Sequence, residues 1–222
     1  MLYDLGGRNA SFCFAKDHPH KKPSHSHCDK DKKYAELRDL VKSYGDDKIT
    51  LMEYNVDIYG QHMDIVHSSF TSHVKPSYFS SMYRYTFPEI VMTNREMALD
   101  EKDYREKINF TFIMGFAFDL SIFRCLGLPS EIPEYVKYMK QALALRQENA
   151  EYLIRGKFVD TVGFTVDQPL VRCIGYRAAD GSLGVACWNT AAETTTFTLC
   201  SDEGVRKTVS LEANSITFVI MK

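Results

Sequence analysis

The chain reads as an α/β protein: a partial (β/α)8 (TIM) barrel, its C-terminal half, followed by a small antiparallel β-sandwich. Three observations predict this. Two short apolar strands, residues 1–4 and 49–53, each end in an acid (Asp4 and Glu53) and lie about one βα unit apart, and a β/α barrel carries its chemistry where strands give way to loops. The first two-thirds of the chain alternate strand-like and helix-like stretches, the pattern of parallel βα units. Beyond Gly156 the segments become short and rich in Val, Thr and Phe, with no helices between them. The expected division is residues 1–155 for the barrel half and 156–222 for the sandwich. Because the sequence opens on the first of these strands, the front of the barrel is expected to be missing.

Each element follows from local pattern. After the first strand comes a long loop, residues 5–32, rich in Gly, His, Pro and Lys. Residues 33–41 place apolar side chains three and four apart, a helical period, and Gly45 suits the residue that stops the helix. Residues 49–54 form the next strand. Residues 59–69 are expected to be helical, with Met63, Val66 and Phe70 on one face, and residues 81–87 a strand closed by Pro88. Residues 100–118 start with acids, favourable at a helix N-terminus, and are expected to run from helix into a short strand near 116–120. Residues 130–153 are the clearest helix, with Ser130 as N-cap and Pro133 in the first turn. Six strands follow, at 158–164, 170–177, 183–189, 194–199, 206–211 and 215–220, and Asp180-Gly181 signals a hairpin.

Composition narrows the function classes. Hydrophobic residues at 45% and charged residues at 25% of 222 are ordinary globular values. A net charge of −2 gives no reason to expect nucleic acid or an anionic membrane as partner. No apolar run approaches the ~18 residues of a membrane span. The six cysteines (Cys13, Cys28, Cys125, Cys173, Cys187 and Cys200) form no CxxC pair and no short secreted-type framework, so they are expected to be free thiols, as in the cytoplasm. There is no phosphate-binding glycine loop, GxSxG elbow or HExxH, which removes the usual nucleotide, serine-hydrolase and zincin readings. No cofactor is expected.

Asp4 and Glu53 carry the main chemical expectation. A retaining glycosidase needs one carboxylate to attack the anomeric carbon and a second to protonate the leaving oxygen and then activate water. Parallel strands lie about 4.8 Å apart, close to the ~5–5.5 Å that separates such a pair. Strand-end acids also cap helices or pair with lysines. Asp57 suits an N-cap for the next helix, or a hydrogen bond to a sugar hydroxyl. The loop holds His18-Pro19-His20 and His25-Ser26-His27-Cys28, which invite a zinc hypothesis, but the spacing matches no recurrent zinc signature and Lys16, Lys21, Lys22 and Lys30 would repel a cation. Hydrogen bonding to substrate or to the carboxylates is the expected role of these imidazoles, and no metal is expected. Arg84, at the end of a third strand, either holds a carboxylate ionised or makes a structural ion pair. Asp119 is a weaker candidate of the same kind. His62 and His67 are expected on a helix surface or in packing.

The run Leu2-Tyr3-Asp4-Leu5-Gly6, then Cys13 and Asp17-His18-Pro19-His20, resembles a pattern in an uncharacterised family of bacterial glycoside-hydrolase-like barrel proteins. In that family a strand ending in Glu and a small residue leads to an Asp-x-Tyr element, here matched by Glu53, Tyr54, Asp57 and Tyr59. Residues 83–88 and 185–189 are similar to the family's Phe-Arg-Tyr strand and C-terminal sandwich. The resemblance implies a barrel acting on carbohydrate, with Asp4 as nucleophile and Glu53 as acid–base, as in the α-amylase clan. It implies Asp57, Tyr59, His18, His20 and Arg84 as substrate-binding residues. Two departures stand out: Tyr54 replaces the family's glycine, and half the barrel is absent. A partner chain or self-association that completes the barrel is therefore expected, as is activity that depends on the missing half. A non-catalytic carbohydrate-binding or assembly protein on a degenerate barrel is the alternative.

Overall fold

The computed structural model describes residues 2–3, 12–14, 17, 24–53, 60–68, 78–98 and 102–222. It is an α/β protein with one parallel sheet and several antiparallel ones. The chain forms two compact units, Met1–Arg95 and Glu96–Lys222.

The first unit is built on parallel strands. β1 (Leu2–Tyr3), β4 (Leu51–Glu53), β5 (Ile65–Ser68) and β6 (Val91–Ala98) pair in that order, β6 running on through the unit boundary. All three pairings are parallel, with Tyr3 opposite Met52, Glu53 opposite His67 and His67 opposite Thr93. Residues opposite each other across a parallel pair share a face, and alternate residues along a strand share it too. Met52, Val66, Met92 and Asn94 therefore line one face and are all buried. Leu51, Ile65 and Val91 begin the other face and are only partly covered, Val91 being 51% exposed. That second face ends in polar groups: Glu53, His67, Thr93 and Arg95.

Two strands and two helices complete the described part of this unit. β2 (Phe12–Cys13) and β3 (Ser24–His25) make an antiparallel pair, so the expected loop carries structure. Helix α1 (Ser26–Lys42) begins seven residues earlier than the apolar period alone indicates, taking in His27 and Cys28. Gly45 does follow its end, at φ +134°, with its N–H donating to the Lys42 carbonyl. The starts of β4 and β5 are tied together: Asp64 accepts from the Thr50 N–H at 2.7 Å and from its hydroxyl at 3.0 Å, and pairs with Lys42 at 3.0 Å.

Two sequence expectations fail in this unit, and one strand is missed. Of the expected helix at 59–69, the described residues 61–64 make a turn and bend leading into β5, and 65–68 are strand; the β-branched pair Ile65-Val66 favours a pleated strand, and the spacing of Met63 and Val66 mimics a helix face. The expected strand at 81–87 is helix α2 (Tyr78–Thr86). Its aromatics suggest a strand, but Tyr83 and Phe87 sit one helical turn apart with ring centroids at 4.8 Å. β6, which the sequence reading leaves unassigned, is an eight-residue strand.

The second unit follows its sequence closely. Helix α3 (Tyr104–Ile113) runs through Gly115, at φ +66°, into β7 (Ala117–Ile122). Helix α4 (Pro133–Glu148) has Pro133 in its first turn, where the missing N–H costs nothing. Ile132, not Ser130, caps it, because residues 129–131 form a 3₁₀ turn. The short α5 (Ala150–Leu153) follows.

Seven strands, one more than expected because residues 161–163 interrupt the strand expected at 158–164, then form two antiparallel sheets. β8 (Lys157–Asp160), β10 (Val171–Arg177), β11 (Leu183–Asn189) and β14 (Ile216–Met221) make one, in the order β14-β11-β10-β8. β9 (Phe164–Val166), β12 (Thr195–Ser201) and β13 (Arg206–Leu211) make the other, in the order β13-β12-β9. The core between them takes every second residue: Val171 and Cys173 from β10, Leu183, Val185 and Cys187 from β11, Phe197 and Leu199 from β12. The other face of the larger sheet is also covered. The Tyr176 hydroxyl donates to the Ile113 carbonyl at 2.7 Å, and the Tyr152 ring lies 5.4 Å from that of Phe218. Burial on both faces explains why all seven residues of β11 are buried. Asp180-Gly181 turns the β10–β11 hairpin, with Gly181 at φ +81°.

Candidate functional site

Parallel sheets offer their chemistry at the carboxyl ends of the strands, where loops can surround a ligand. In the first unit those ends carry the polar cluster. Glu53 closes β4 and is buried, at 8% exposure. His67 stands beside it on β5, in register and 3% exposed. Thr93 is the next in register on β6, its hydroxyl buried without a hydrogen-bond partner among the described residues. Arg95, two residues on and therefore on the same face, pairs with Glu53 at 3.7 Å.

The elements make this arrangement unavoidable once the register is set. The apolar residues before each polar group (Leu51, Ile65 and Val91) hold the strands together, and the two-residue period delivers Glu53, His67 and Thr93 to one level. A buried carboxylate needs a counter-charge or several donors, and the Arg95 guanidinium supplies the charge. Burial favours the neutral form of such a carboxylate, and a neighbouring cation favours the charged one. The opposite ends of β4 and β5 show different chemistry. There burial works to raise the Asp64 carboxyl, but donation from the Thr50 N–H and hydroxyl, with the Lys42 charge, holds it below its ordinary value. That clamp ties two strands together.

Of the residues expected from sequence, Glu53 lies in this cluster. Asp4, His18, His20, Asp57 and Tyr59 lie outside the described residues. Arg84 does not end a strand. It sits buried on α2, and its Nη1 donates to the Pro88 and Ile90 carbonyls at 3.1 Å each, bracing the turn between α2 and β6. Asp119 lies within β7. His62 occupies the turn before β5 and pairs through Nε2 with Asp31 of α1 at 2.7 Å. His67 is a strand residue beside Glu53, not a helix-surface one. Sequence reasoning missed His67 and Arg95. The alternation Val91-x-Thr93-x-Arg95, with β-branched residues on one face, is the signal that locates Arg95. Among the described residues no group of three or more His, Cys, Asp or Glu side chains is arranged to hold a metal ion, and no helix is long and apolar enough to cross a membrane.

No family model matches the chain, and no curated protein matches it significantly. Among solved structures its neighbours are glycoside hydrolases. A maltogenic α-amylase from Thermotoga neapolitana aligns with a TM-score of 0.51 at 13% identity, over 86% of this chain and 58% of its own. A GH27 β-L-arabinopyranosidase from Geobacillus stearothermophilus aligns with a TM-score of 0.51 at 8% identity, over 86% and 54%. An endo-β1,6-glucanase gives 0.50 at 11%, over 85% and 54%. At such identities the likeness is one of fold. The chain spans a little over half the length of these neighbours.

Proposed function

We propose that the chain is the C-terminal part of a retaining glycoside hydrolase, with residues 1–155 as the barrel half and 156–222 as an appended β-sandwich. Asp4 is the nucleophile and Glu53 the acid–base. The observation that carries this reading is the direct parallel pairing of β1 with β4, Leu2 opposite Leu51 and Tyr3 opposite Met52. The next residues in the two sequences are Asp4 and Glu53. Adjacent strands about 4.8 Å apart suit two carboxylates that must work about 5–5.5 Å from each other.

In the first step the Asp4 carboxylate attacks the anomeric carbon while Glu53 gives its proton to the leaving oxygen. In the second, Glu53 takes a proton from water, the water oxygen attacks the same carbon, and Asp4 departs with its bonding electrons. Glu53 must serve in both protonation states. Arg95, inside β6, supplies the cation beside a carboxylate that the sequence reading gave to Arg84. Asp57, Tyr59, His18 and His20 are assigned to substrate binding. The glycoside-hydrolase neighbours support carbohydrate as the substrate class, and their extra length supports a site completed by a further barrel half, from the same or a partner chain.

The test is hydrolysis of a panel of aryl glycosides by the full chain and by the Asp4→Asn and Glu53→Gln variants. Each substitution should lower turnover by roughly 10²–10⁴-fold, the scale of acid–base and nucleophilic contributions. Variants that keep their turnover would defeat the assignment. One observation favours a second reading, a carbohydrate-binding protein without turnover: the chain covers only 54–58% of its neighbours. In that case saccharide binding by calorimetry survives the loss of both acids.

A further inference from the structure

We propose that Cys173 and Cys187 are a disulfide-forming pair that staples the two central strands of the larger antiparallel sheet when the chain folds in oxidising surroundings. The proposal is independent of the glycosidase reading and concerns the second unit alone.

The two residues are direct cross-strand partners on β10 and β11. Their sulfurs lie 3.5 Å apart, the Cys173 thiol donating to that of Cys187. Directly opposed residues of an antiparallel pair have Cα atoms about 4.5–5.5 Å apart, inside the ~4.4–6.8 Å that a disulfide spans. Joining the sulfurs therefore needs side-chain rotation and no change of backbone register. Both side chains point into the core shared by the two sheets, beside Val185, Phe197 and Leu199. Among the described residues, nothing comparable is found at Cys125, which is exposed, or at Cys200 on β12.

Burial decides when the bond can form. The hydrogen bond shared with Cys173, together with desolvation, raises the Cys187 thiol well above its ordinary value, so the attacking thiolate is scarce once the sheets have closed. Oxidation therefore belongs to folding, while the β10–β11 hairpin is paired but the second sheet is not yet packed on it. With oxidised glutathione as the oxidant, one cysteine thiolate attacks the glutathione disulfide and expels one glutathione thiolate. The second cysteine, having lost its proton, attacks the mixed disulfide and expels the other. Two protein thiols and one glutathione disulfide become one protein disulfide and two glutathione thiols.

The test is to unfold the full chain in reductant and refold it in a reduced–oxidised glutathione mixture. Remaining thiols are then alkylated under denaturing conditions, and the chain is digested with trypsin without reduction. The proposal predicts that peptide 173–177 is recovered linked to peptide 178–206, two hydrogens lighter than their sum. Peptide 178–206 also contains Cys200, so the Cys200→Ser chain must give the same link. Reductant should lower the Tm of the oxidised wild type by roughly 5 °C and leave the Tm of Cys173→Ala unchanged. Recovery of both peptides unlinked and alkylated, or a link that disappears in Cys200→Ser, would overturn the proposal.

Discussion

The Glu53 carboxylate and the Arg95 guanidinium meet across an intervening strand: they lie on β4 and β6, 3.7 Å apart, with His67 of β5 at the same level between their strands. The Glu53 side chain is 10% exposed and the Arg95 side chain 34%. A pair so placed is worth more than a fully exposed one, yet its solvated partner limits the gain.

Arg95→Met should therefore destabilise the chain by about 1 kcal/mol, and Arg95→Lys by less. In urea unfolding, a double-mutant cycle with Glu53→Gln should give a coupling energy of about 0.5–1.5 kcal/mol. Additive single effects would mean that the two side chains do not interact.

Asp180 offers a titration test at the β10–β11 turn. The Ser182 hydroxyl donates to its carboxylate at 2.5 Å and the Ser182 N–H at 3.0 Å, with Lys222 at 3.3 Å. These contacts hold the carboxyl at about 2, below the ordinary 3.8. Because the folded value is depressed, the stabilisation is fully present above pH 3.8 and is lost as pH falls towards 2. Carboxyl-carbon NMR should find the midpoint near 2 in the wild type and a higher one in Ser182→Ala. An unchanged midpoint in the variant would rule out the Ser182 hydroxyl as the main cause.

A buried asparagine network joins helices and sheet in the second unit. Asn109 of α3 donates to the Asn214 carbonyl at 3.0 Å and side-chain oxygen at 3.1 Å, and accepts from the Tyr138 hydroxyl at 2.7 Å. The indole of Trp188 donates to the same Asn214 side-chain oxygen at 2.9 Å. Asn109 is fully buried. Asn109→Ala strands several of these groups and should cost about 2–3 kcal/mol. Trp188 is the chain's single tryptophan, so its fluorescence follows the unfolding of this unit directly. A midpoint equal to that of the wild type would show that the network is dispensable.

How much of this was legible in the sequence differs between the two units, for physical reasons. In β10 to β14 the two-residue alternation is imposed by a core that both sheets share, and Asp180-Gly181 supplies the turn, so residues alone locate the strands. Pro133 and the periodicity behind it do the same for α4. In the first unit local signals conflict with the result. Tyr83-Arg84-Tyr85 has strand-like composition but takes helical spacing because Tyr83 packs on Phe87. Ile65-Val66-His67 is too short for alternation to outweigh a chance helical spacing. The candidate site inherits the same limits. Glu53 stands out as an acid after an apolar strand. His67 and Arg95 join it through the register of β4, β5 and β6, which depends on contacts between segments far apart in sequence.

The central claim, a covalent glycosyl–enzyme on Asp4, is tested most directly by trapping that species. The full chain would be incubated with a panel of 2-deoxy-2-fluoroglycosyl fluorides, digested with trypsin and analysed by mass spectrometry. Peptide 1–8 contains Asp4 as its only acidic side chain. This peptide should gain one fluoroglycosyl group, and the gain should disappear in Asp4→Asn. A glycosyl group on any other peptide, or turnover that inverts the anomeric configuration, would contradict it.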